Sequence, residues 1–413
     1  MLLNSADLQV VMTEPSLSLE PLPYHRAMVD YLRSEERDLW NWFSSAQART
    51  QYTEALRLGL LKSTYRLDAE GHPDLVKAAE EAKQALGLDF PLTLYQAQQS
   101  SELNAALYFI PGEGHVVLSG SLVNLLSPAE LKSVIGHELA HHLLWRLNDG
   151  EFFIADRMLQ GIAEDPRAEF SHHQSARRFQ LYTEIFADRG SLAVTRDIHS
   201  VIAGLVKIET GLHQVSAPSY LKQAEEVFTQ SKAKTQGLSH PEMFIRARAL
   251  RLWSESASNV ETEVLAMIEG TSTVEELDLL GQVRSTELIR RFLAQFLRPK
   301  WFQTDVVLGH ARLFFSDFSP AREDDPGLAA ELVSDDPKLH ELLGFILMDF
   351  VVADSELEDL PLAAAWEWSK KLGFESAFEK ILNKELKLKA RDLKRLKQEA
   401  PQKLLEADLV PRS

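Results

Sequence analysis

The segment that most constrains the fold is a helix predicted to begin just after Ser127. Ser127 can cap this helix, Pro128 suits its first turn, and Glu130 can complete a capping box. The helix should continue to about Leu147 and end before the turn sequence Asn148-Asp149-Gly150. Its middle carries polar side chains between apolar neighbours. Any fold of this chain must therefore bury the helix and provide partners for those polar groups.

The middle of this helix reads His137-Glu138-Leu139-Ala140-His141. Four residues advance a helix by about 400°, so the two histidines project from one face, one turn apart. Two imidazoles in that arrangement can bind one zinc ion, and Glu138 beside them can take a proton from zinc-bound water. The alternative is a helix with two surface histidines and a glutamate. The apolar flanks predict burial and favour the metal site, because a metal would supply the partner that buried polar groups need.

A catalytic zinc site usually has three protein ligands and one position open to water. Leu144 and Leu147 occupy the positions where the metzincin extension requires Gly and His, so that third histidine ligand is excluded. In the next 50 residues, the only Glu followed by Asp four positions later is Glu184, with Asp188. Glu184 can complete a His₂Glu ligand set, and Asp188 can accept a hydrogen bond from the far nitrogen of a ligand histidine. The alternative for such a pair is a solvated helix face.

Composition excludes several other functions. The 413 residues include no Cys, which removes disulfides, thiolate zinc fingers and Cys nucleophiles. A formal net charge of −17 argues against a nucleic-acid partner or an anionic membrane surface. The first residues show no secretory signal, and the longest apolar stretch, 342–352, is far shorter than the roughly 20 residues of a membrane helix. We therefore expect a cytoplasmic protein without an integral membrane segment.

Periodicity predicts a mainly α fold with one small sheet. Residues 21–70 and 74–86 show helical spacing of apolar positions, and nearly everything after Ser127 does so too. Three strands are predicted, at 90–95, 105–110 and 116–119.

Several short motifs follow one another in an order that resembles the HtpX-like and CAAX-prenyl-protease-type zinc metallopeptidases of metallopeptidase family 48. The resemblance covers about residues 74–252. The motifs that carry it are Asn104-Ala105, Ser127-Pro128-Ala129-Glu130, the segment from Gly136 to His142, the segment from Glu184 to Asp188, and Ser239-His240-Pro241 with Arg246.

This resemblance implies a mostly helical gluzincin domain with a small edge sheet beside the metal helix. It also implies one Zn²⁺ ion per chain, held by His137, His141 and Glu184, with Glu138 as the catalytic base. Many members of the family carry membrane helices or a signal sequence. This chain shows neither, so it is similar to a soluble offshoot of the family.

The resemblance also places His240 and Arg246 near the metal cleft. His240 would stabilise the oxyanion, occupy the open zinc position in a resting state, or only cap the helix that starts at Pro241. In the resting-state version, movement of residues 232–239 would open a self-inhibited enzyme. Arg246 would join the catalytic machinery or simply pair with an acid.

A peptide substrate would add as an extended strand to the sheet edge formed by Ala106, Leu107, Tyr108 and Phe109. That mode of binding reads backbone more than side chains, so we expect an endopeptidase with broad specificity for unfolded or flexible segments. Tyr108 or Phe109 would line a subsite, although alternate residues of a half-buried hairpin can also be plain core.

The second half of the chain is predicted to be all-α. Residues 342–373 resemble part of the tellurite-resistance TerB-like helical domain, which would serve as a regulatory or docking module for a protein partner. Asp354, Glu356 and Glu358 would bind a divalent cation or only cap the next helix, since their spacing is not that of an EF-hand. Residues 380–397 carry eight Lys or Arg and predict one basic helix, as a solvated face rather than a nucleic-acid arm.

These observations give five expected segments and two candidate functions. The segments are an N-terminal helical segment 1–73, a zinc metallopeptidase domain 74–255, a helical connection 256–284, a TerB-like domain 285–383, and a basic helical tail 384–413 whose residues 409–413 resemble the remains of an engineered protease-cleavage tag. The first candidate function is a zinc endopeptidase. The second is a latent or non-catalytic scaffold with a closed zinc site.

Overall fold

The computed structural model describes residues 19–98, 100–231, 233–270, 273–333 and 336–409, with backbone alone for 46–52, 408 and 409. Some of the sequence predictions concern residues that lie outside the described residues, namely 1–18, 232 and 410–413. The chain divides into two compact units, Met1–Thr271 and Ser272–Ser413. Both are helical, and the first also contains a small sheet, so the expected mainly α fold class is confirmed.

The helices of the first unit are α1 Pro23–Glu35, α2 Arg37–Phe43, α3 Ala46–Ser63, α4 Pro73–Ala85, α5 Leu122–Leu125, α6 Pro128–Arg146, α7 Glu151–Ala163, α8 Phe170–Thr195, α9 Ile198–Thr210, α10 Ala217–Gln230, α11 Met243–Ser254 and α12 Val260–Ile268. In this unit, helices α4, α7, α8 and α9 pack against helix α6.

The sheet has four strands in the order β1-β2-β4-β3. Their bounds are β1 Thr64–Leu67, β2 Leu92–Ala97, β3 Asn104–Ile110 and β4 Glu113–Ser119. Strand β4 pairs parallel with β2 and antiparallel with β3, with Leu107 opposite Val116. Strand β3 therefore forms one edge of the sheet, as the sequence led us to expect.

Strand β1 corrects the sequence analysis, which predicted helix throughout 21–70. Helix α3 ends at Ser63, and Thr64 then pairs with Ala97 in an antiparallel ladder with β2. A four-residue strand has too short a pattern to outweigh the helical spacing before it. Its conformation is set by a partner strand that lies about 30 residues away in the chain.

Helix α6 packs against α8 at unusually close range. A Cβ built on Gly190 of α8 would lie 2.2 Å from the Cβ of Ala140, and one built on Gly136 would lie 3.0 Å from Val194. The hydroxyl of Ser191 donates to the Ser133 carbonyl at 2.7 Å. Small residues at the crossing therefore bring polar side chains of α8 within reach of those on α6.

The second unit contains seven helices within its described residues and has its own core. Their bounds are α13 Leu279–Phe296, α14 Asp305–Phe314, α15 Leu328–Leu332, α16 Pro337–Val351, α17 Leu360–Lys371, α18 Glu375–Glu385 and α19 Ala390–Leu409. Asp354 caps a short turn by accepting from the Glu356 N–H at 3.0 Å, and it also accepts from the Thr304 hydroxyl at 2.7 Å.

The single basic helix expected over 380–397 is wrong. Helix α18 ends at Glu385, Lys387 has a φ of +52°, and α19 begins at Ala390. A left-handed residue cannot continue an α-helix, so the chain turns there. One face of α19 is buried, because Leu393 and Ala400 belong to the core of this unit.

None of the helices within the described ranges combines the length and the apolar character that crossing a bilayer requires.

Candidate metal centre

Helix α6 starts at the expected capping box. The Ser127 hydroxyl accepts from the Glu130 N–H at 3.4 Å, and the Glu130 carboxylate accepts from the Ser127 N–H at 2.8 Å. The same carboxylate also accepts from the Lys207 ammonium at 2.8 Å, and both side chains are largely buried. This partner was not predicted from the sequence, where the available signal was a single lysine, Lys207, inside the otherwise apolar stretch of α9.

The candidate ligand atoms converge between α6 and α8. The Nε2 atoms of His137 and His141 lie 3.2 Å apart. The Glu184 carboxylate lies 3.4 Å from His137 Nε2 and 3.5 Å from His141 Nε2. Among the described residues, these three form the one group of potential ligand atoms that all lie within 4.8 Å of one another.

These distances fit a tetrahedral cation. Ligand atoms bonded to zinc at about 2.0–2.1 Å in tetrahedral geometry are separated by roughly 3.3 Å. The separation of the two Nε2 atoms, 3.2 Å, is close to that value. Each of them also lies near one oxygen of the Glu184 carboxylate, His137 3.4 Å from Oε2 and His141 3.5 Å from Oε1. The Glu184 Oε2 atom is also buried without a hydrogen-bond partner among the described residues. Two imidazoles and one carboxylate are therefore a suitable donor set for zinc.

Asp188 orients the first histidine. Its Oδ1 atom lies 3.1 Å from His137 Nδ1. A carboxylate can only accept, so Nδ1 carries a proton, and Nε2 is the nitrogen that is available to a metal. Asp188 is itself held by Arg246, whose Nε and Nη2 donate to its two oxygens at 2.8 and 2.6 Å.

The electrostatics of the site favour a positive charge. Burial alone would raise the pKa of Asp188, but Arg246 and His137 hold it below its usual range. Burial alone would likewise lower the pKa of His137, but the carboxylates of Asp188 and Glu184 beside its ring raise it to about 10. By contrast, burial lowers the pKa of His141 to about 4, which keeps its ring neutral and able to act as a ligand.

Glu138 lies buried beside the sheet edge. Burial raises its pKa to about 7, against the opposing effect of a hydrogen bond from the Leu107 backbone N–H. A carboxylate with a pKa near neutrality can both take and return a proton. Because Leu107 directs its N–H at Glu138, it does not use that N–H to pair with β4.

A cleft of about 810 Å³ opens beside the ligands. It runs from the start of β3 to the segment that precedes α11, and its lining includes Asn104, Ala105, Val134, His137, Glu138, Glu184, His240 and Arg246.

His240 lies on the open side of this cleft. Its side chain is 59% exposed, and its Nε2 lies 3.6 Å from Glu184 Oε2. It does not join the group of convergent ligand atoms. Nor does it cap a helix, because α11 begins at Met243 with Glu242 at the N-cap position. Arg246 contacts Asp188 and lies 3.6 Å from the Glu184 carboxylate. The acid that Arg246 pairs with, which the sequence did not identify, is therefore Asp188.

The edge strand presents alternate residues to α6. Ala105 and Leu107 pack against the core that contains Leu139, and Phe109 packs against rings on α6 and α7. The ring of Tyr108 lies on the opposite face and is more exposed. Ala106 shares that face, as expected from the period of a strand.

His142, next to the second histidine, fixes α6 to the sheet. Its ring stacks on Phe90 with centroids 3.8 Å apart, and its Nε2 lies 3.1 Å from the Glu113 carbonyl oxygen. The sequence analysis assigned His142 no role, because nothing in the local pattern reveals contacts with residues 29 or more positions away.

Comparison with known proteins supports a metallopeptidase. Residues 71–148 match the model of peptidase family M48, a segment that contains His137, Glu138 and His141 and ends before Glu184. Over 205 residues the chain is 29% identical to plastoglobule-localized metallopeptidase 48, chloroplastic, of Arabidopsis thaliana. That alignment covers 44% of this chain and 57% of the relative, so the chain spans little more than half of the relative's length. No solved structure matches the chain significantly.

Both likenesses support the M48 metallopeptidase family, whose members are metal-dependent and typically use zinc.

Proposed function

We propose that this chain is a zinc-dependent endopeptidase, similar to the HtpX-like and CAAX-prenyl-protease-type members of its family, that hydrolyses peptide bonds in unfolded or flexible protein segments. The observation that carries the proposal is the convergence of ligand atoms of His137, His141 and Glu184 within 4.8 Å of one another, beside a buried glutamate and an open cleft. The proposed site follows the pattern HExxH…ExxxD and takes one zinc ion per chain.

In this site zinc would supply a Lewis acid, which lowers the pKa of a bound water and polarises a carbonyl. Glu138 takes the proton of the attacking water and returns it to the leaving amine. Asp188, fixed by Arg246, holds the ring of His137 in the tautomer that leaves Nε2 free. His240 reaches the cleft from its open side, where it can donate a hydrogen bond to a developing oxyanion.

The free edge of β3 supports an extended substrate. Leu107 directs its backbone N–H at Glu138 rather than at β4. In an antiparallel ladder such outward-facing groups alternate, so Ala105 and Phe109 face the same open side. A peptide that adds a strand there brings its backbone past Glu138. Folded proteins seldom offer unpaired backbone, which favours unfolded or flexible substrates.

An open metal site favours the enzyme over the scaffold. A structural zinc site has four protein ligands, whereas a catalytic site keeps one position for water. Within the described residues three ligand atoms converge, and the imidazole of His240 stays outside that group. This arrangement supports turnover and argues against a permanently closed site.

The second unit completes the proposal. We propose that its helices form a TerB-like domain that docks a protein partner or regulates the peptidase, and that the whole chain is cytoplasmic. The independent core of this unit supports a separable role.

The proposal is tested by cleavage of casein with the intact chain and with Glu138→Gln, each with and without a chelator. We expect Glu138→Gln to lower the rate by about 10²- to 10⁴-fold, because it cannot accept the proton. Zinc content, measured on the same samples, should stay at one ion per chain in both proteins. Glu70→Gln, an exposed glutamate outside the cleft, is the matched control and should cleave normally.

Equal cleavage by the intact chain and Glu138→Gln would contradict the proposed mechanism. If zinc binds and nothing is cleaved, His240→Ala separates the two remaining interpretations. A latent enzyme gains activity when that imidazole is removed, whereas a scaffold stays inactive.

A further inference from the structure

We propose that a second, aromatic pocket beside the metal centre is a specificity subsite for one large apolar side chain of the substrate, phenylalanine or leucine. This inference rests on the proposed peptidase function. The aromatic pocket has a volume of about 160 Å³. Its lining is mainly apolar, with Phe109, Pro111, Trp145 and Phe153, and also includes Arg146 and Asp149.

The aromatic pocket continues the face of α6 that carries the metal ligands. His137, His141 and Trp145 follow one another at intervals of four residues, so their side chains share one face of the helix. The rings of His141 and Trp145 lie 5.6 Å apart. The larger cleft touches this face at Val134 and His137, whereas the aromatic pocket touches it at Trp145. The two cavities therefore lie on opposite sides of the ligands.

Strand β3 connects the same two cavities. Ala105 lines the larger cleft, Leu107 contacts Glu138, and Phe109 lines the aromatic pocket. These residues face α6. Each lies about 7 Å from the next, because they are two positions apart along the strand. A substrate strand on this edge has the same alternation. The substrate residue opposite Phe109 therefore directs its side chain at the aromatic pocket, two residues from the one that passes Glu138.

The size and lining of the aromatic pocket select its occupant. An apolar cavity of about 150 Å³ accommodates a benzene ring. The rings of Phe109, Trp145 and Phe153 surround the space, with centroids 4.7 Å apart for Phe109 and Phe153 and 5.9 Å apart for the other two pairs. A phenyl or isobutyl group fits this volume and gains edge-to-face contacts or apolar burial.

The test compares peptides that differ only in Phe or Ala, placed in turn at each position around one cleavable bond. We expect Phe to raise kcat/KM at least about tenfold at a single position, two or three residues to one side of the cleaved bond. Phe153→Ala removes one wall of the pocket and should reduce this ratio severalfold. Phe170→Ala, an aromatic residue half exposed at the start of α8, is the matched control and should keep the ratio.

A ratio measured within one variant does not depend on how much of that variant is folded. The inference is overturned if the Phe/Ala ratio is the same at every position, or if Phe153→Ala and Phe170→Ala give the same ratio as the unaltered chain. Either result leaves the peptidase function itself intact.

Binding separates this inference from the proposed function. The same peptides, labelled with a fluorophore, are titrated with Glu138→Gln and with Glu138→Gln/Phe153→Ala. We expect the preferred Phe peptide to bind the first protein at least about tenfold more tightly than its Ala counterpart, and the second without preference. If no peptide is cleaved, the peptidase function fails, and this titration still decides the subsite. Equal binding of all peptides overturns it.

Discussion

Asp188 joins three helices through a single carboxylate. It stands on α8, accepts from His137 on α6 and is held by Arg246 on α11. All three side chains are largely buried, so the protein rather than solvent sets their orientation. Groups that orient a metal ligand in this way usually affect metal affinity nearly as strongly as the ligands themselves.

We expect Asp188→Asn to weaken zinc binding by about 10- to 100-fold, because the amide keeps the shape of the side chain and loses its charge. Competition with a chromophoric chelator measures the change. Asp74→Asn, an exposed position in the first turn of α4, should leave the affinity unchanged. An unchanged affinity in Asp188→Asn would show that His137 needs no such partner.

His25 on α1 is a neutral histidine in the core. Its Nε2 lies 3.1 Å from the hydroxyl of Thr183, and Nδ1 is buried without a hydrogen-bond partner among the described residues. Burial lowers the pKa of His25 from 6.5 to about 3. Unfolding lets this ring take up a proton below pH 6.5. It therefore contributes stability that is fully present above pH 6.5 and is lost as the pH falls toward 3.

We expect His25→Gln to reduce the acid sensitivity of the chain. Between pH 6 and pH 4 the free energy of unfolding should fall less steeply with pH in the variant, by up to about 1.4 kcal/mol per pH unit. Urea unfolding at several pH values measures both slopes. Parallel slopes would mean that His25 is protonated in the folded chain or does not contribute to the acid transition.

Sequence could single out the candidate ligand residues because each pair stands on one helix at a spacing of four. His137 and His141 fix one face of α6, and Glu184 and Asp188 fix one face of α8. Arg246 and Lys207 lie 58 and 77 residues from the acids that they contact. Their contacts depend on how helices cross, which no local period encodes.

At the scale of elements, the start of α6 combines a cap with a buried ion pair. Ser127 supplies one weak hydrogen bond at 3.4 Å, whereas Glu130 bonds both the Ser127 N–H and the Lys207 ammonium at 2.8 Å. The two residues of the capping box therefore contribute different amounts to the free energy of unfolding.

We expect Ser127→Ala to lower the free energy of unfolding by about 1 kcal/mol, the usual cost of a lost cap. Glu130→Gln should cost more, about 3 kcal/mol, because it leaves the Lys207 ammonium buried without a countercharge. Urea titration of both variants measures the two changes. Glu70→Gln is the control. Equal losses in both variants would show that Lys207 reaches solvent when its partner is removed.

The elements themselves were predictable to different degrees. The capping signals at Ser127 and the turn before Glu151 place α6 almost to the residue. The three predicted strands occur with shifted ends, such as 90–95 observed as Leu92–Ala97. Strand β1 and the break at Lys387 escaped prediction, because one depends on a distant partner strand and the other on a single left-handed residue.

At the scale of the whole molecule, each unit has its own apolar core. The cluster built around Phe292, Phe350 and Phe378 consists entirely of residues from the second unit. The clusters around Leu139 and Leu250 consist entirely of residues from the first. The candidate ligands and the larger cleft lie in the first unit.

We expect a chain that ends at Gly270 to fold and to bind zinc with an affinity within about twofold of the full chain, since the first unit has its own apolar clusters and contains all the candidate ligands. Circular dichroism and chelator competition on both chains provide the measurement. A truncated chain that is unfolded, or that binds zinc far more weakly, would show that the second unit stabilises the metal centre.

The free edge of β3 also affects how copies of this chain behave together. An unpaired strand edge can pair with any extended chain, including β3 of a second copy. Each of two copies paired in this way would cover the β3 edge of the other, so neither copy could bind a substrate strand there. The specific activity would then fall as the protein concentration rises, and it would recover on dilution. If this edge binds a substrate as proposed, each copy would be a reversible competitor of that substrate.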